Sequence, residues 1–156
     1  MALVWLSVGS VTTTAIEQKP LPAFQVFTKD GRPVPSIELS GQERWLLIYA
    51  IPDCRPCDQL IRALKDWQTP QLVARTVLVI GAQTDMAQAY VQMSLRAEVS
   101  AISWYADAEG QAWQALGIQG TPLLIGIRRG RMEWAISGVL KDTGTLESAV
   151  RTWVEY

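Results

Sequence analysis

Residues 45–57 read WLLIYAIPDCRPC, and this stretch decides the fold. Its first six residues form a continuous apolar run of strand length, which is typical of a central strand covered on both faces. Three loop residues follow, and then come both cysteines of the chain, Cys54 and Cys57. Beyond Cys57, four apolar residues recur at spacings of three and four: Leu60, Ile61, Leu64 and Trp67. The pattern predicts a buried strand, a short loop and an amphipathic helix that begins at the cysteine pair.

The segments on both sides of this stretch alternate between strand and helix patterns. Strands are predicted at residues 23–27, 76–80, 102–105, 123–128 and 131–136, and helices at residues 86–99, 111–116 and from 142 or 143 onward. Arg129 and Gly130 fit a two-residue hairpin turn between the last two strands. We expect Ala89 and Met93 to lie on the inner face of the helix at 86–99. Parallel strands joined by helices, with an antiparallel hairpin at one edge, predict an α/β three-layer sandwich.

The amino-acid composition excludes several classes of catalytic and binding site. The 156 residues are the length of one domain, and 49% hydrophobic with 19% charged residues is the balance of a globular protein. A net charge of −1 gives no electrostatic footprint for nucleic acid, so no such partner is predicted. Histidine is absent, which excludes Ser–His and Cys–His catalysis and histidine metal sites. Two cysteines also fall short of the four ligands of a structural zinc site, and we predict neither a metal nor a cofactor.

The first 19 residues differ in character from the rest of the chain. Residues 3–8 are mostly apolar, but this run is much shorter than the ~20 residues that cross a bilayer, and no basic segment precedes it. We interpret residues 1–19 as a leader or tether, the remnant of a signal or membrane anchor, and residues 20–156 as the domain. The alternative is a first strand, or a disordered leader on a cytosolic protein.

The cysteine pair falls where a buried strand ends and a helix begins, which is where open α/β sheets place ligands. The first N–H groups of a helix and its dipole stabilise an anion, so a thiolate at Cys54 is favoured. Pro56 is tolerated in the first helical turn. Arg55 favours the thiolate and Asp53 opposes it, so we expect these three neighbours to tune it. A thiolate at Cys54, with Cys57 as the resolving thiol, predicts thiol–disulfide exchange; an inert structural disulfide and a half zinc site are the alternatives.

Three motifs resemble those of the thioredoxin superfamily and, within it, of the TlpA-like or redoxin branch. The first is the apolar strand that runs into CRPC at residues 54–57. The second, GIQGTPLL at residues 117–124, is similar to the family's Gly-x-x-Gly-x-Pro segment. The third, LPAF at 21–24 with DGRPV at 30–34, is similar to the strand and turn that TlpA-like proteins add before the core. The resemblance implies a thioredoxin-like α/β/α sandwich with a central mixed sheet and an N-terminal strand extension.

The resemblance also assigns roles and shows departures. By position, Pro122 would be a cis-proline that faces the cysteine pair, and Thr121 would pair through its backbone with a bound substrate strand. Thioredoxins carry a buried Asp six residues before the first cysteine, where this chain has Ile48. Peroxiredoxins carry Pro-x-x-x-Thr-x-x-Cys, and this chain has Leu47 and Ile51 at the two supporting positions.

The function implied by the resemblance is that of a thiol:disulfide oxidoreductase. Its partners would be protein disulfide or dithiol substrates and an upstream redox donor, and a membrane tether through the N-terminus would suit a periplasmic or otherwise extracytoplasmic protein. A cytoplasmic location is the alternative. Two other functions stay open: a thioredoxin-fold module that binds peptides and keeps a structural disulfide, and a peroxiredoxin-like peroxidase.

Overall fold

The computed structural model describes residues 6–8, 11–14, 18–95, 101–138 and 143–156. The strands are β1 (Leu6–Val8), β2 (Val11–Thr14), β3 (Lys19–Pro20), β4 (Gln25–Phe27), β5 (Pro33–Pro35), β6 (Arg44–Ala50), β7 (Thr76–Ile80), β8 (Ser103–Ala106), β9 (Leu123–Arg128) and β10 (Arg131–Gly138). The helices are α1 (Arg55–Asp66), α2 (Pro70–Arg75), α3 (Thr84–Leu95), α4 (Gln111–Leu116) and α5 (Thr143–Glu155).

The described strands form one mixed sheet, in the order β1-β2-β10-β9-β6-β7-β8-β4-β5, with β3 also paired to β10. The central strand β6 runs parallel to β7 and antiparallel to β9, and β7 runs parallel to β8. β9 and β10 form the predicted hairpin, and both of its turn residues, Arg129 and Gly130, have positive φ angles of 51° and 75°. β4 and β5 precede β6 in the chain and extend the sheet beyond β8. The predicted mixed sheet with an N-terminal strand extension is confirmed.

Both faces of β6 are covered by other elements, because the apolar side chains of this strand point alternately to the two sides of the sheet. Leu46, Ile48 and Ala50 point into one buried cluster, together with residues of α1, α2, α3 and α5. Trp45, Leu47 and Tyr49 point into a second cluster on the opposite face, which contains residues of β4, β5 and α4. The helices and the sheet therefore form the three predicted layers.

The segment interpreted as a leader, residues 1–19, contains β1, β2 and the first residue of β3. β1 pairs with β2, and β2 pairs antiparallel with β10, so that residues 11–14 lengthen the sheet at its edge. A first strand was the alternative interpretation of this segment. Residues 1–5, 9–10 and 15–17 lie outside the described residues, and the boundary at residue 19 stays a prediction. Among the described residues, no helix combines the length and the apolar character that crossing a bilayer requires.

One helix was missed by the sequence patterns. The sequence patterns do not predict α2, because Pro70 indicates only the end of the preceding helix. Thr69 caps α2, its side-chain oxygen accepting a hydrogen bond from the Leu72 N–H at 3.1 Å, and Pro70 takes the first helical position. Leu72 is fully buried, which anchors the short helix to the core.

The inward face of α3 was predicted wrongly. Ala89 and Met93 are exposed, Met93 to 80%, and Ala87 and Val91 are buried instead. Apolar residues occur on both sides of this helix, so the 3.6-residue period does not select one face. The predicted residues 96–99 lie outside the described residues.

Candidate active site

The cysteine pair and the Thr121–Pro122 segment meet because of the strand register. β6 and β9 are antiparallel, and Tyr49 near the end of β6 lies opposite Leu123, the first residue of β9. The residues that follow β6 and the residues that precede β9 therefore lie at the same end of the sheet. Segments more than sixty residues apart in the sequence form one site.

Cys54 is the N-cap residue of α1, with extended backbone angles of −119° and 105°. Its Sγ accepts a hydrogen bond from the Cys57 N–H at 3.2 Å, and its carbonyl oxygen accepts the first helical hydrogen bond, from the Asp58 N–H at 3.0 Å. Asp53 adopts a left-handed conformation, with φ of 56°, which turns the loop into the helix; aspartate tolerates this region better than most residues. The sulfur thus takes the place of the oxygen of an ordinary N-cap side chain.

Cys54 and Cys57 form a disulfide, with their Cα atoms 5.2 Å apart. The two differ in access: 8% of Cys54 is exposed and none of Cys57. Cys57 lies one helical turn into α1 and belongs to the buried cluster that also contains Ile48. The order of exposure is the one that an attacking Cys54 and a resolving Cys57 require, although Cys54 opens to solvent only narrowly.

The Thr121–Pro122 peptide bond is cis, as expected from the resemblance. Pro122 is buried, and Thr121 is half-buried beside Cys54. The Thr121 Oγ1 lies 3.4 Å from Cys54 Sγ, and its carbonyl oxygen lies 3.8 Å from the same sulfur. A disulfide sulfur carries no proton, so the hydroxyl is the donor of the 3.4 Å contact. The side-chain contact was not predicted, since it depends on the strand register.

The three residues predicted to tune the thiolate all flank Cys54. Asp53 and Arg55 are exposed, and Pro56 is half-buried in the first turn of α1. Exposed charges at the mouth of the site act through a high dielectric, so their separate effects are small. Their tuning role stays a prediction.

Two acidic residues that could be considered as proton acceptors for Cys57, Asp107 and Asp58, form hydrogen bonds with other groups. The buried Asp107 accepts a hydrogen bond from the Tyr49 hydroxyl at 2.6 Å and caps α4 through the Ala112 N–H at 3.0 Å. Both partners belong to the cluster on the face of the sheet opposite Cys57, so Asp107 does not replace the buried acid of thioredoxins. Asp58 accepts a hydrogen bond from the Tyr90 hydroxyl at 3.0 Å. Burial is the main cause that raises the pKa of Tyr90 above its ordinary range, and this hydrogen bond is the second.

Comparisons with known proteins agree with this geometry. The sequence matches the AhpC/TSA family over residues 18–141. No curated protein matches the sequence.

Three solved structures are similar to this one. A candidate thiol:disulfide interchange protein DsbE from Chlorobium tepidum is 20% identical, with a TM-score of 0.71 over 90% of this chain and 99% of its own. DsbF from MTB is 20% identical, with a TM-score of 0.67 over 83% and 94%. A secreted Mycobacterium tuberculosis disulfide oxidoreductase homologous to E. coli DsbE is 19% identical, with a TM-score of 0.65 over 83% and 95%.

At these identities the similarity shows a shared fold, that of thioredoxin-like disulfide oxidoreductases, and the Cys54–Cys57 disulfide lies at the start of its first long helix. The family match covers most of the chain, including the cysteine pair and the Thr121–Pro122 segment. The chain belongs to the AhpC/TSA family.

Proposed function

We propose that the protein exchanges disulfides with protein substrates, with Cys54 as the attacking residue and Cys57 as the resolving residue. The observation that carries the proposal is the hydrogen bond from the Cys57 N–H to Cys54 Sγ, at the narrow opening of the site. After reduction the same N–H would donate to a thiolate, and such charge-assisted bonds are about twice as strong as neutral ones. The dipole of α1 favours the same charge.

The exchange takes two steps. The Cys54 thiolate attacks one sulfur of a substrate disulfide, the substrate S–S bond breaks, and the departing thiolate takes up a proton. Cys57 then loses its proton and attacks Cys54 Sγ, which releases the second substrate sulfur as a thiol and leaves the Cys54–Cys57 disulfide. Two electrons and two protons pass to the substrate, and a donor dithiol returns them to the enzyme. In reverse, the same pair donates its disulfide.

Thr121 supports substrate binding through its backbone. Its carbonyl oxygen lies 3.8 Å from Cys54 Sγ, so a substrate strand paired with Thr121 would carry its own cysteine to the attacking sulfur. Pro122, which is buried, follows Thr121 and belongs to the same candidate substrate-binding segment. A protein disulfide is therefore a better substrate in this proposal than a small disulfide without a backbone.

The place of action in this proposal is outside the cytoplasm, with a cytoplasmic location as the alternative. One similar structure is of a secreted disulfide oxidoreductase, which supports this location. The upstream partner would be a reductant donor, and a membrane tether through residues 1–19 would keep the protein near a membrane-bound donor.

Turnover with dithiothreitol and insulin tests the function. We expect the wild-type protein to speed the reduction of insulin and Cys54→Ser to abolish this activity. Full activity in Cys54→Ser, or none in the wild type, would rule out the exchange reaction and leave a peptide-binding module with a structural disulfide.

A parallel assay with hydrogen peroxide tests the peroxidase alternative. We expect the wild-type protein to consume peroxide no faster than the Cys54→Ser variant does. The reason is that Leu47 and Ile51 replace the residues that support a peroxidatic cysteine. Peroxide turnover faster than insulin reduction would favour the peroxidase.

A further inference from the structure

Three arginines converge at the end of the sheet opposite the cysteine pair. Arg44 is the first residue of β6, and Arg128, the last residue of β9, lies directly opposite it in the strand register. Arg75 ends α2, just before β7, the other neighbour of β6. We call Arg44, Arg75 and Arg128 the arginine cluster. Like charges directly opposite on neighbouring strands destabilise a sheet, so this arrangement needs an explanation.

The cluster is only partly neutralised by the protein. Glu133 pairs with Arg128 at 3.3 Å. Neither Arg44 nor Arg75 forms a salt bridge within the described part of the chain, and the Nε of Arg44 is buried there without a hydrogen-bond partner. Burial lowers the pKa of Arg44, and the charges of Arg75 and Arg128 lower it further, against a smaller opposing effect of Glu133 and Glu43. Buried charged donors without acceptors are rare in folded proteins.

The guanidinium groups are held in place by Trp153 and by α5. The Cζ atoms of Arg44 and Arg128 lie 5.6 Å and 5.2 Å from the centroid of the Trp153 ring, which is within the range of a cation–π contact. The indole of Trp153 is itself fixed by a hydrogen bond to the Trp45 carbonyl at 2.8 Å. Arg75 donates from one Nη to the Val154 carbonyl at 2.6 Å. The cluster is thus arranged before any ligand arrives.

A cavity of about 520 Å³ opens onto the cluster. Arg129 and Glu43 also line it, but they pair with each other at 2.7 Å, so they add no net charge. The side chains of the cluster keep part of their surface exposed, 42% in the case of Arg128, so a ligand can reach them. Three cations and one paired carboxylate, Glu133, leave the cluster with a net positive charge, which suits an anion; Gln42 and Tyr156 complete the lining of the cavity.

We propose that the arginine cluster binds a phosphate group. Guanidinium forks pair with phosphate oxygens through two parallel hydrogen bonds, and a bound anion would reduce the repulsion between Arg44, Arg75 and Arg128. The phosphate would come either from a small phosphate in solution or from the headgroup of an anionic lipid. The site lies at the end of the sheet far from Cys54, and the proposal does not depend on the disulfide chemistry.

Calorimetric titration with inorganic phosphate tests the proposal, with chloride at matched ionic strength as the reference. We expect saturable binding by the wild type, with the affinity about tenfold lower in Arg44→Gln and in Arg128→Gln. Arg32→Gln is the matched control, because Arg32 is an exposed arginine in the loop before β5, and we expect it to bind as the wild type does. Thermal unfolding in phosphate-free buffer checks that each variant is folded; if one of the two cluster variants unfolds, the other carries the test.

Sedimentation with vesicles distinguishes the two sources of phosphate. Vesicles of phosphatidylglycerol in phosphatidylcholine are compared with vesicles of phosphatidylcholine alone, in the wild type, Arg44→Gln and Arg32→Gln. If the protein binds the anionic vesicles and Arg44→Gln weakens this binding, the site is assigned to a lipid headgroup. If the protein binds inorganic phosphate but not the vesicles, the site is assigned to a soluble phosphate. Failure of both ligands to bind, or binding that Arg44→Gln and Arg128→Gln leave unchanged, would overturn the proposal. Insulin reduction should be the same in all these variants, so a failure here is distinct from a failure of the exchange function.

Discussion

The Cys54 sulfur is contacted from two directions, by the helix that it begins and by the segment that precedes β9. The Cys57 N–H donates to it from α1, and the Thr121 hydroxyl donates to it from across the site. The first donor is one of the free N–H groups at the start of a helix, and the sequence predicts that such groups stabilise an anion at Cys54. The second depends on the antiparallel register of β6 and β9, which no local pattern reveals.

At this scale we expect Thr121→Val to weaken the reactivity of reduced Cys54. Valine keeps the shape of threonine but removes the hydroxyl donor, so the thiolate loses one hydrogen bond and its population at neutral pH falls. Alkylation of Cys54 by iodoacetamide at pH 7 should slow by about tenfold. Thr121→Ser keeps the hydroxyl and should react nearly as the wild type does. Equal rates in Thr121→Val and the wild type would show that the hydroxyl does not stabilise the thiolate.

Among the elements, α1 and α3 show when a helical pattern identifies the buried face. The predicted apolar residues of α1 form one stripe. The three that lie within the helix, Leu60, Ile61 and Leu64, are buried as predicted. In α3 apolar residues alternate between two faces, and the buried pair is Ala87 and Val91. Only the neighbouring elements, α1 and β8, select the face that packs, and their position is not a local property of the sequence.

Truncations on the two faces of α3 should therefore have different costs. We expect Val91→Ala to lower the free energy of unfolding by about 1–3 kcal/mol, because it leaves a cavity in the core. Met93→Ala should change it by less than about 0.5 kcal/mol, since that side chain is 80% exposed. Urea unfolding followed by circular dichroism measures both. A larger loss in Met93→Ala than in Val91→Ala would mean that the helix packs through its other face.

For the molecule as a whole, the order of the longer strands and helices could be predicted because the apolar runs are long and the turn residues are distinct, whereas the short elements β5 and α2 were not predicted. The hairpin at Arg129 and Gly130 and the central strand, predicted at residues 45–50 and observed as Arg44–Ala50, are examples. The addition of β2 to the edge of the sheet could not be predicted in the same way. It pairs with β10, more than a hundred residues away, and such pairing depends on the assembled sheet.

Stability at alkaline pH tests the packing of the second cluster. Burial raises the pKa of Tyr49, and the hydrogen bond and charge of Asp107 raise it further. The folded protein then keeps a proton that the unfolded chain loses above a pH of about 10, so the contribution of Tyr49 to the free energy of unfolding is constant below this pH and falls above it. The loss is about 1.4 kcal/mol per pH unit for each such tyrosine.

Tyr90 has a raised pKa as well, so two tyrosines contribute to the alkaline loss. Between pH 10 and 11 we expect the free energy of unfolding to fall less steeply in Tyr49→Phe than in the wild type. Urea unfolding at each pH measures this. An unchanged slope would show that Tyr49 ionises as easily in the folded protein as in the unfolded chain.

The most direct measurement of the central claim is the capture of a mixed disulfide. Reduced Cys57→Ser, mixed with a disulfide-bonded protein such as insulin, should form a covalent complex that mass spectrometry maps to Cys54, because the resolving thiol is absent. Reduced Cys54→Ser should form far less, since Cys57 is fully buried. Complexes that form equally through both cysteines, or only through Cys57, would contradict the assignment of Cys54 as the attacking residue.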